Sequence, residues 1–230
     1  MSQIITLKIP CEYGETKDYI YPVILKDNQE MILVDCGYTG FMTKIENVLL
    51  EQGLNPNGLT KIVITHHDHD HMGALAAFKE KYPFIKVVTS SVEAPIISGK
   101  EKSLRLIQAE KIQESLPEEQ KSFGLAFCRL LENVLPAEVD ITVNDGDVFN
   151  WCGGCKIIAT PGHTPGHISL YLTEHNTIIT GDGAVIEAGQ LVVANPGYAI
   201  NLPEARQSLE KLINYKAATY ICYHGGIYKS

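Results

Sequence analysis

The chain has no apolar run long enough to span a bilayer, and its first ten residues lack the long apolar core of a signal peptide. We therefore expect a cytoplasmic protein with no membrane partner. A basic patch is also lacking: 27 acidic against 19 basic residues give a formal net charge of -8, which repels nucleic-acid phosphates, so no nucleic-acid partner is expected. The six cysteines would be reduced in the cytoplasm, which excludes a disulfide framework.

Hydrophobic residues, in contrast, make up 45% of the 230 residues, which is ample for a packed core. Neither a low-complexity segment nor a short-period repeat interrupts the chain. We predict a single domain spanning residues 1–230, because this length fits about one large domain.

Apolar periodicity predicts an α/β fold in which strands and helices alternate. The predicted order is strands 4–9, 19–25 and 31–34, helix 41–52, strand 61–65, helix 71–81, strand 85–89, a helical stretch over 94–135, short strands from 143 onward, helix 201–215 and strand 219–223. The stretch 94–135 is charged and carries recurring apolar residues. It therefore predicts an inserted helical pair, broken at Pro117 and Gly124, near the active site.

One short loop contains half of the eight histidines. Directly after the apolar run 61–64 the chain reads Thr65-His66-His67-Asp68-His69-Asp70-His71. Imidazole and carboxylate are ligands that zinc, iron and manganese share, and a loop leaving a strand can aim several of them at one point. The pattern predicts a metal site. The alternative is a solvated polar loop rich in histidine.

Three further motifs place His or Asp after predicted strands. They are Thr160-Pro161-Gly162-His163-Thr164-Pro165-Gly166-His167, Thr180-Gly181-Asp182-Gly183 and Cys222-Tyr223-His224-Gly225-Gly226. Each alone is typical of a turn. Together with the histidine loop they put ligand candidates at the ends of four strands, where open α/β architectures form crevices.

On these motifs the chain resembles the metallo-β-lactamase fold superfamily of metallohydrolases, nearly end to end. The family loop reads Thr-His-x-His-x-Asp-His-x-Gly. The positions that match it are Thr65, His66, Asp70, His71 and Gly73, whereas Asp68 stands where the second His is usual. The resemblance implies an αββα four-layer sandwich with the site along one edge of the two sheets.

The resemblance also implies a ligand set for two metal ions. It assigns His66, Asp68 and His163 to the first metal, Asp70, His71 and His224 to the second, and Asp182 to the bridge between them. Asp35 matches the family's buried Asp at a strand end, which we expect to be a scaffold residue.

Two divalent ions would lower the pKa of a bridging water and so generate a hydroxide, without a protein nucleophile. Asp182 can bridge because a carboxylate has two oxygens, and Asp70 is the expected proton acceptor and donor. We expect zinc, with iron or manganese as alternatives because Asp68 supplies a hard oxygen. The extra charge of Asp68 should also raise the pKa of the bridging water.

The other histidines are not expected to bind metal. In locally extended backbone, His67 and His69 would point away from the three ligands between which they alternate. His167 is expected to support a ligand or to pack, and His175 to be exposed in a hairpin turn.

The Cys152-Gly153-Gly154-Cys155 segment resembles the Cys-x-x-Cys motif of thiol oxidoreductases. That chemistry requires a helix N-terminus, whereas a strand follows here. We therefore predict a structural cysteine pair around a two-residue hairpin turn at Gly153-Gly154.

The substrate is not fixed by the fold. Within the resemblance, a true β-lactamase is disfavoured because one zinc class has Cys where Asp182 stands, and an acyl-homoserine lactonase because Val185 replaces a Tyr. Glyoxalase II extends into a helical substrate domain, whereas six residues follow His224 here. We therefore expect a small-molecule ester, thioester, lactone or phosphodiester. The alternatives are a diiron-type oxidoreductase, since Asp68 echoes its carboxylate ligand, and a non-catalytic metal-binding or sensing protein. The oligomeric state is left open.

Overall fold

The computed structural model of the protein describes residues 2–13 and 16–230. The strands within these ranges are β1 (Gln3–Thr6), β2 (Ile9–Tyr13), β3 (Thr16–Ile20), β4 (Val23–Lys26), β5 (Met31–Val34), β6 (Lys61–Val63), β7 (Lys86–Ser90), β8 (Ile141–Val143), β9 (Val148–Phe149), β10 (Cys155–Ala159), β11 (Ile168–Leu172), β12 (Thr177–Gly181), β13 (Val185–Glu187), β14 (Gln190–Val192), β15 (Thr219–Cys222) and β16 (Gly226–Lys229). The helices are α1 (Met42–Glu51), α2 (His69–Met72), α3 (Leu75–Lys81), α4 (Ala94–Ile97), α5 (Leu104–Ser115), α6 (Glu118–Glu132) and α7 (Leu202–Asn214).

Twelve of these strands form two six-stranded mixed sheets. The first has the order β1-β4-β5-β6-β7-β8 and the second the order β16-β15-β12-β11-β10-β9, while β2-β3 and β13-β14 are separate hairpins. Strands β5 to β8 run parallel, as does the pair β12 and β15. The parallel neighbours carry their following loops to one edge of each sheet.

Alternate residues of the strands point into different layers, as a period of two requires. In β5, Ile32 faces the other sheet, in a cluster that also contains Ile157 of β10, whereas Leu33 packs against α1 and α3. The outer face of the second sheet packs in the same way against Leu212 of α7. The layers are therefore helix, sheet, sheet, helix, which confirms the predicted α/β class and αββα sandwich.

Two predicted strands at the start of the chain are each divided. Strand 4–9 is split between β1 and β2, and strand 19–25 between β3 and β4, because β2 and β3 leave the first sheet and pair only with each other. The later strands and helices agree with the predicted bounds to within two residues, apart from the two helical segments below.

The predicted helix 71–81 is two helices, α2 and α3, with Gly73 and Ala74 between them. Gly73 contacts a neighbouring loop so closely that a Cβ there would lie 2.4 Å from the backbone nitrogen of Thr39. The chain turns at this contact, so α2 can carry site residues while α3 packs in the core.

The helical stretch at 94–135 consists of α4, α5 and α6. The predicted break at Pro117 is present, but the break at Gly124 is wrong, because α6 runs through it. The glycine serves helix packing instead: a Cβ there would lie 2.6 Å from Leu116 Cδ1. Within the described residues, none of the helices has the length and hydropathy that a membrane crossing needs.

Candidate metal centre

The seven side chains predicted as metal ligands lie together at the edge where the parallel strands end. His66 and Asp68 follow β6, Asp70 and His71 lie on α2, His163 follows β10, Asp182 follows β12 and His224 follows β15. Three overlapping groups have ligand atoms within 4.8 Å of one another: His66 with Asp68 and His163, His66 with His71 and Asp182, and Asp70 with His71 and His224. The structure thus brings all seven predicted residues into one cluster.

The first group has its ligand atoms around Asp68. Its Oδ2 lies 2.9 Å from His163 Nε2 and 3.4 Å from His66 Nε2. In the group of Asp70, His71 and His224, Asp70 Oδ2 lies 3.1 Å from His224 Nε2 and 3.7 Å from His71 Nε2. Each group therefore offers two imidazole nitrogens and one carboxylate oxygen.

Asp182 stands between the two groups and presents one oxygen to each. Its Oδ2 lies 3.5 Å from His163 Nε2, whereas its Oδ1 lies 3.4 Å from His71 Nε2 and 3.8 Å from His224 Nε2. His167 holds this residue, because its Nε2 accepts the Asp182 backbone N–H at 3.0 Å. His167 is fully buried and lies outside the three groups, in the supporting position that the sequence predicted.

Asp35 fixes which nitrogen of His66 and His71 faces the cluster. This buried carboxylate, held at a φ of 58°, accepts the hydroxyl of Thr65 at 2.9 Å and lies 2.9 Å from His71 Nδ1. Because the Thr65 hydroxyl donates to Asp35, it accepts from His66 Nδ1 at 3.0 Å. Both imidazoles therefore carry hydrogen on Nδ1, and Nε2 is the atom left for a ligand.

Three of the four unpartnered buried atoms in the cluster are ones that a metal ion would use, and the fourth is His163 Nδ1, on a ring whose Nε2 lies beside Asp68. His66 Nε2, His71 Nε2 and Asp182 Oδ1 are buried without a hydrogen-bond partner. Buried polar atoms are rarely left unpaired, so these three indicate a missing partner that accepts electron pairs. A divalent cation fits this requirement, and the mixed nitrogen and oxygen donors suit zinc, iron or manganese.

The carboxylates are held in their charged, metal-binding form. Burial raises the pKa of Asp68, but the Arg105 guanidinium together with the hydrogen bonds to His163 and His66 outweighs this effect and holds the pKa well below its usual range. Burial likewise opposes ionisation of Asp70 and Asp182, but the surrounding histidines, His71 first and then His224, together keep both pKa values below normal. Burial lowers the pKa of His66 and favours its neutral form.

Arg105 on α5 is a site residue that sequence reasoning missed. Its Nη2 donates to Asp68 Oδ2 at 2.7 Å and its Nε to Asp68 Oδ1 at 2.9 Å, and the same Nη2 lies 3.2 Å from His163 Nε2. The side chain is fully buried and also donates to Gln108 and to the backbone oxygen of Tyr198. The negative charge of Asp68 is therefore paired, which contradicts the uncompensated charge assumed from the sequence.

Glu93 is a second site residue that was missed. Its Oε2 bonds both the backbone N–H and Nδ1 of His67, while its Oε1 accepts the Thr164 hydroxyl at 2.8 Å and the Gly166 N–H at 2.9 Å. Glu93 is fully buried, and it ties the histidine loop to the loop that carries His163.

The other histidines of the loop behave differently from each other. His67 points away from the cluster, as predicted, and pairs with Glu93. His69 does not point away from the cluster as predicted, because the extended backbone ends at Asp68 and α2 begins at His69. Its ring lies beside those of Tyr38 and Phe127, with centroid distances of 5.4 Å and 5.7 Å.

The cysteine pair Cys152 and Cys155 is buried and unbridged, and Cys155 is the first residue of β10, at the strand end opposite to His163. The predicted two-residue turn is wrong, since Phe149 pairs with Cys155 and the connection contains a 3₁₀ turn at 151–153. That turn buries Trp151, whose ring stacks on Phe149 at 4.1 Å. His175 is half-buried rather than exposed, with Nε2 3.1 Å from Ser2 Oγ.

The cluster forms the floor of a cleft with a volume of about 620 Å³. Helix α6 supplies one wall through Phe127 and Leu130, and Tyr198 and Val185 line other parts. The inserted helices therefore lie next to the site, as expected.

Fold and site together define an αββα protein with a His and Asp cluster suited to metal ions. The family model described as the metallo-beta-lactamase superfamily matches residues 16–224. The chain belongs to this superfamily.

Individual relatives are distant. The uncharacterized protein YobT of Bacillus subtilis (strain 168) is 25% identical over 92% of this chain and 86% of its own length. A hydroxyacylglutathione hydrolase of Brucella anthropi is 26% identical over 89% of this chain, which spans 60% of that hydrolase. A metallo-beta-lactamase family protein of Thermus thermophilus, TTHA1429, has the same fold, with a TM-score of 0.75 at 23% identity over 98% of this chain and 74% of that one.

Proposed function

We propose that this protein is a hydrolase that holds two divalent metal ions, with zinc expected. The observation that carries the proposal is the position of Asp182, whose Oδ2 lies 3.5 Å from His163 Nε2 and whose Oδ1 lies 3.4 Å from His71 Nε2. A carboxylate that presents one oxygen to each of two ligand groups is suited to bridging two ions.

The first ion would be held by His66, Asp68 and His163, and the second by Asp70, His71 and His224. Bound ions supply a water of lowered pKa and stabilise negative charge that develops on the substrate. Chain residues supply the rest. Thr65 and Asp35 orient two imidazoles, and Arg105 balances the charge of Asp68.

Asp70 is the proposed proton acceptor. Its carboxylate lines the floor of the cleft and is 12% exposed, so it reaches a substrate-side water while remaining shielded from bulk solvent. Its lowered pKa keeps it ionised at neutral pH. The oxygen that would accept the proton is Oδ1, because Oδ2 is the one beside His224. It can then return this proton to the leaving group.

The substrate proposed is a small ester, thioester or lactone, with a phosphodiester as a fourth possibility. The similarity to hydroxyacylglutathione hydrolase supports hydrolysis of an acyl compound, although the chain spans 60% of that relative. We also propose that residues 1–230 form one domain. A cytoplasmic location and a lack of nucleic-acid and membrane partners stay predictions from composition.

The test is metal analysis combined with a panel of esters, thioesters, lactones and phosphodiesters. We expect two ions per chain and turnover of at least one panel member. Asp182→Asn should lower turnover by at least about a hundredfold, the upper end of the effect of outer-shell partners. Asp145→Asn, at an exposed surface carboxylate, is the matched control.

Other results would replace the proposal. At most one ion per chain after titration would reject a two-metal site. Two ions without turnover would favour a binding or sensing protein, and two irons with oxygen consumption an oxidoreductase.

A further inference from the structure

The cleft above the cluster of seven His and Asp side chains adjoins a second cavity. The second cavity has a volume of about 460 Å³ and lies between α5, α6 and the chain at 197–198. Both cavities include Arg105, Phe123, Phe127 and Tyr198 in their linings. The cleft therefore continues past these side chains into the helical insertion.

The walls of both cavities are apolar and partly open to solvent. Phe123 is 74% exposed, Leu130 in the first cavity 45% and Ile112 in the second 46%. Contiguous exposed apolar surface of this kind marks a binding site more often than ordinary surface. The cluster of His and Asp side chains lies at the floor of the first cavity. A small molecule bound on this apolar surface would therefore have one end at these side chains.

Charge narrows the chemistry of that ligand. Among the described residues that line the two cavities, Arg105 is the one Lys or Arg, and its guanidinium is committed to Asp68, Gln108 and Tyr198. The acidic residues Asp18, Glu187 and Glu119 also line them. The part of the walls that the structure describes therefore lacks a free Lys or Arg for a carboxylate or phosphate at the far end of a ligand.

We propose that the two cavities form one subsite for an unbranched, uncharged acyl or alkyl chain, which extends from the metal cluster along α6 into the second cavity. This inference rests on the proposed function for the bond that is cleaved. A compact group would occupy the first cavity alone, whereas an extended chain fills both.

Binding of 1-octanol and 1-decanol, measured by isothermal titration calorimetry on the metal-loaded protein, tests the subsite without a bond to hydrolyse. We expect both to bind, with a dissociation constant that falls about fourfold for each added methylene. Leu130→Asp, in the first cavity, and Ile112→Asp, in the second, should each weaken 1-decanol binding at least tenfold.

Each variant has a matched control on the same helix. Leu125 on α6 is 47% exposed and Ile107 on α5 is 44% exposed, and both lie outside the linings of the two cavities. Leu125→Asp and Ile107→Asp should bind 1-decanol as the wild type does. Circular dichroism melting would establish that all four variants fold.

The outcomes separate this inference from the hydrolase proposal. Alcohol binding without turnover of any ester would reject the hydrolase and support the subsite. Turnover without chain-length-dependent binding, or equal losses in test and control variants, would overturn the subsite. A loss in Leu130→Asp but not in Ile112→Asp would remove the second cavity from it.

Discussion

The histidine loop departs from the family pattern at Asp68, and the ion pair of Asp68 with Arg105 changes the net charge that this departure adds to the site. A carboxylate in place of an imidazole adds one negative charge, and a guanidinium 2.7 Å away returns the balance to neutral. Asp68 with Arg105 is thus equivalent in charge to the usual histidine. We therefore no longer expect Asp68 to raise the pKa of a water at the site.

Removing the Arg105 guanidinium should show how much it stabilises the charge of Asp68. Arg105→Met is expected to lower the free energy of unfolding of the metal-free protein by about 3 kcal/mol, because it leaves the buried Asp68 carboxylate without its guanidinium partner. The double variant Asp68→His/Arg105→Met should recover part of this loss. Urea denaturation after chelation measures both, with Arg129→Met on the exposed face of α6 as the control. A loss below about 1 kcal/mol would mean that Asp68 is already neutralised without Arg105.

Glu93 should act on metal affinity through the loops that it joins. Glu93→Gln replaces an oxygen acceptor by an amide donor, so the contacts to His67 or those to Thr164 and Gly166 are lost. We expect weaker metal binding by about 10–100-fold, as for outer-shell partners. Competition with a chromophoric chelator measures the affinity.

The control for this change is Glu46→Gln. Glu46 is also buried, at 7% exposure, but its carboxylate pairs with Lys81 and Tyr82. Its replacement should reduce stability without changing metal affinity. Equal effects of the two variants on affinity would show that Glu93 acts through general stability alone.

At the scale of elements, the site residues that follow strands could be predicted from the sequence, whereas Arg105 and Glu93, which contact these residues from other parts of the chain, could not. A ligand candidate after each of four apolar runs is visible in the sequence, since strands are short and their turns contain Pro, Gly or Asp. Arg105 and Glu93 contact residues 37 and 26 positions away in the sequence. The spacing of apolar residues within one helix or strand does not indicate such distant pairs. The predicted helix break at Gly124 was wrong for a similar reason. The glycine is needed because α5 packs closely against α6 at this position, which the local sequence does not show.

The hairpin between β9 and β10 should be independent of the site. Burial raises the pKa of Cys155 to about 12, so this thiol is inert at neutral pH. We expect Cys152→Ser/Cys155→Ser to retain its full metal content and to lose about 1–3 kcal/mol of stability, because buried hydroxyls replace thiols. Elemental analysis and thermal melting measure the two quantities. A drop in metal content would link the hairpin to the ligands.

Asp140 ties α3 to β7 and gives a pH-dependent contribution. Burial raises its pKa, but hydrogen bonds from Lys86, the Val87 N–H and Lys79 outweigh it and lower the pKa to about 2. Since this value lies below the unfolded 3.8, the stabilisation is complete above about pH 4 and is lost as the pH falls toward 2.

Asp140→Asn should therefore cost about 1 kcal/mol at neutral pH, because Lys86 is 56% exposed and solvent screens its pairing with Asp140. The difference from the wild type should shrink between pH 4 and 2, the window set by the two pKa values. Chemical denaturation at stepped pH measures it. A difference that is constant down to pH 2 would assign the effect to packing instead.

For the molecule as a whole, the two-sheet sandwich could be predicted because its strands are short, largely apolar runs separated by turn residues and its motifs follow a family pattern. The divided strands at the start could not be predicted, because the division depends on β2 and β3 pairing with each other rather than with the first sheet. The neutralised charge at Asp68 and the close approach at Gly73 depend on contacts that form only in the folded chain.

The proposed ligands come from both halves of the chain: four lie between residues 66 and 71 and three between 163 and 224. The four residues at 66–71 follow β6 of the first sheet, and the other three follow strands of the second sheet, so bound metal would hold the two sheets together at one edge. A ligand that binds only the folded state stabilises it in proportion to the logarithm of its free concentration. Chelation should therefore destabilise the whole protein, not only the loops. We expect each ion at a hundred times its dissociation constant to add about 2.7 kcal/mol to the free energy of unfolding.

Thermal melting during a zinc titration of the stripped protein measures this coupling. Two sites predict a melting temperature that continues to rise after the first equivalent is bound, and Asp182→Asn should remove much of the second rise because its carboxylate serves both groups. A rise that ends at one equivalent in the wild type would contradict a second site. An unchanged melting temperature at saturating zinc would show that the cluster holds no metal in the folded protein.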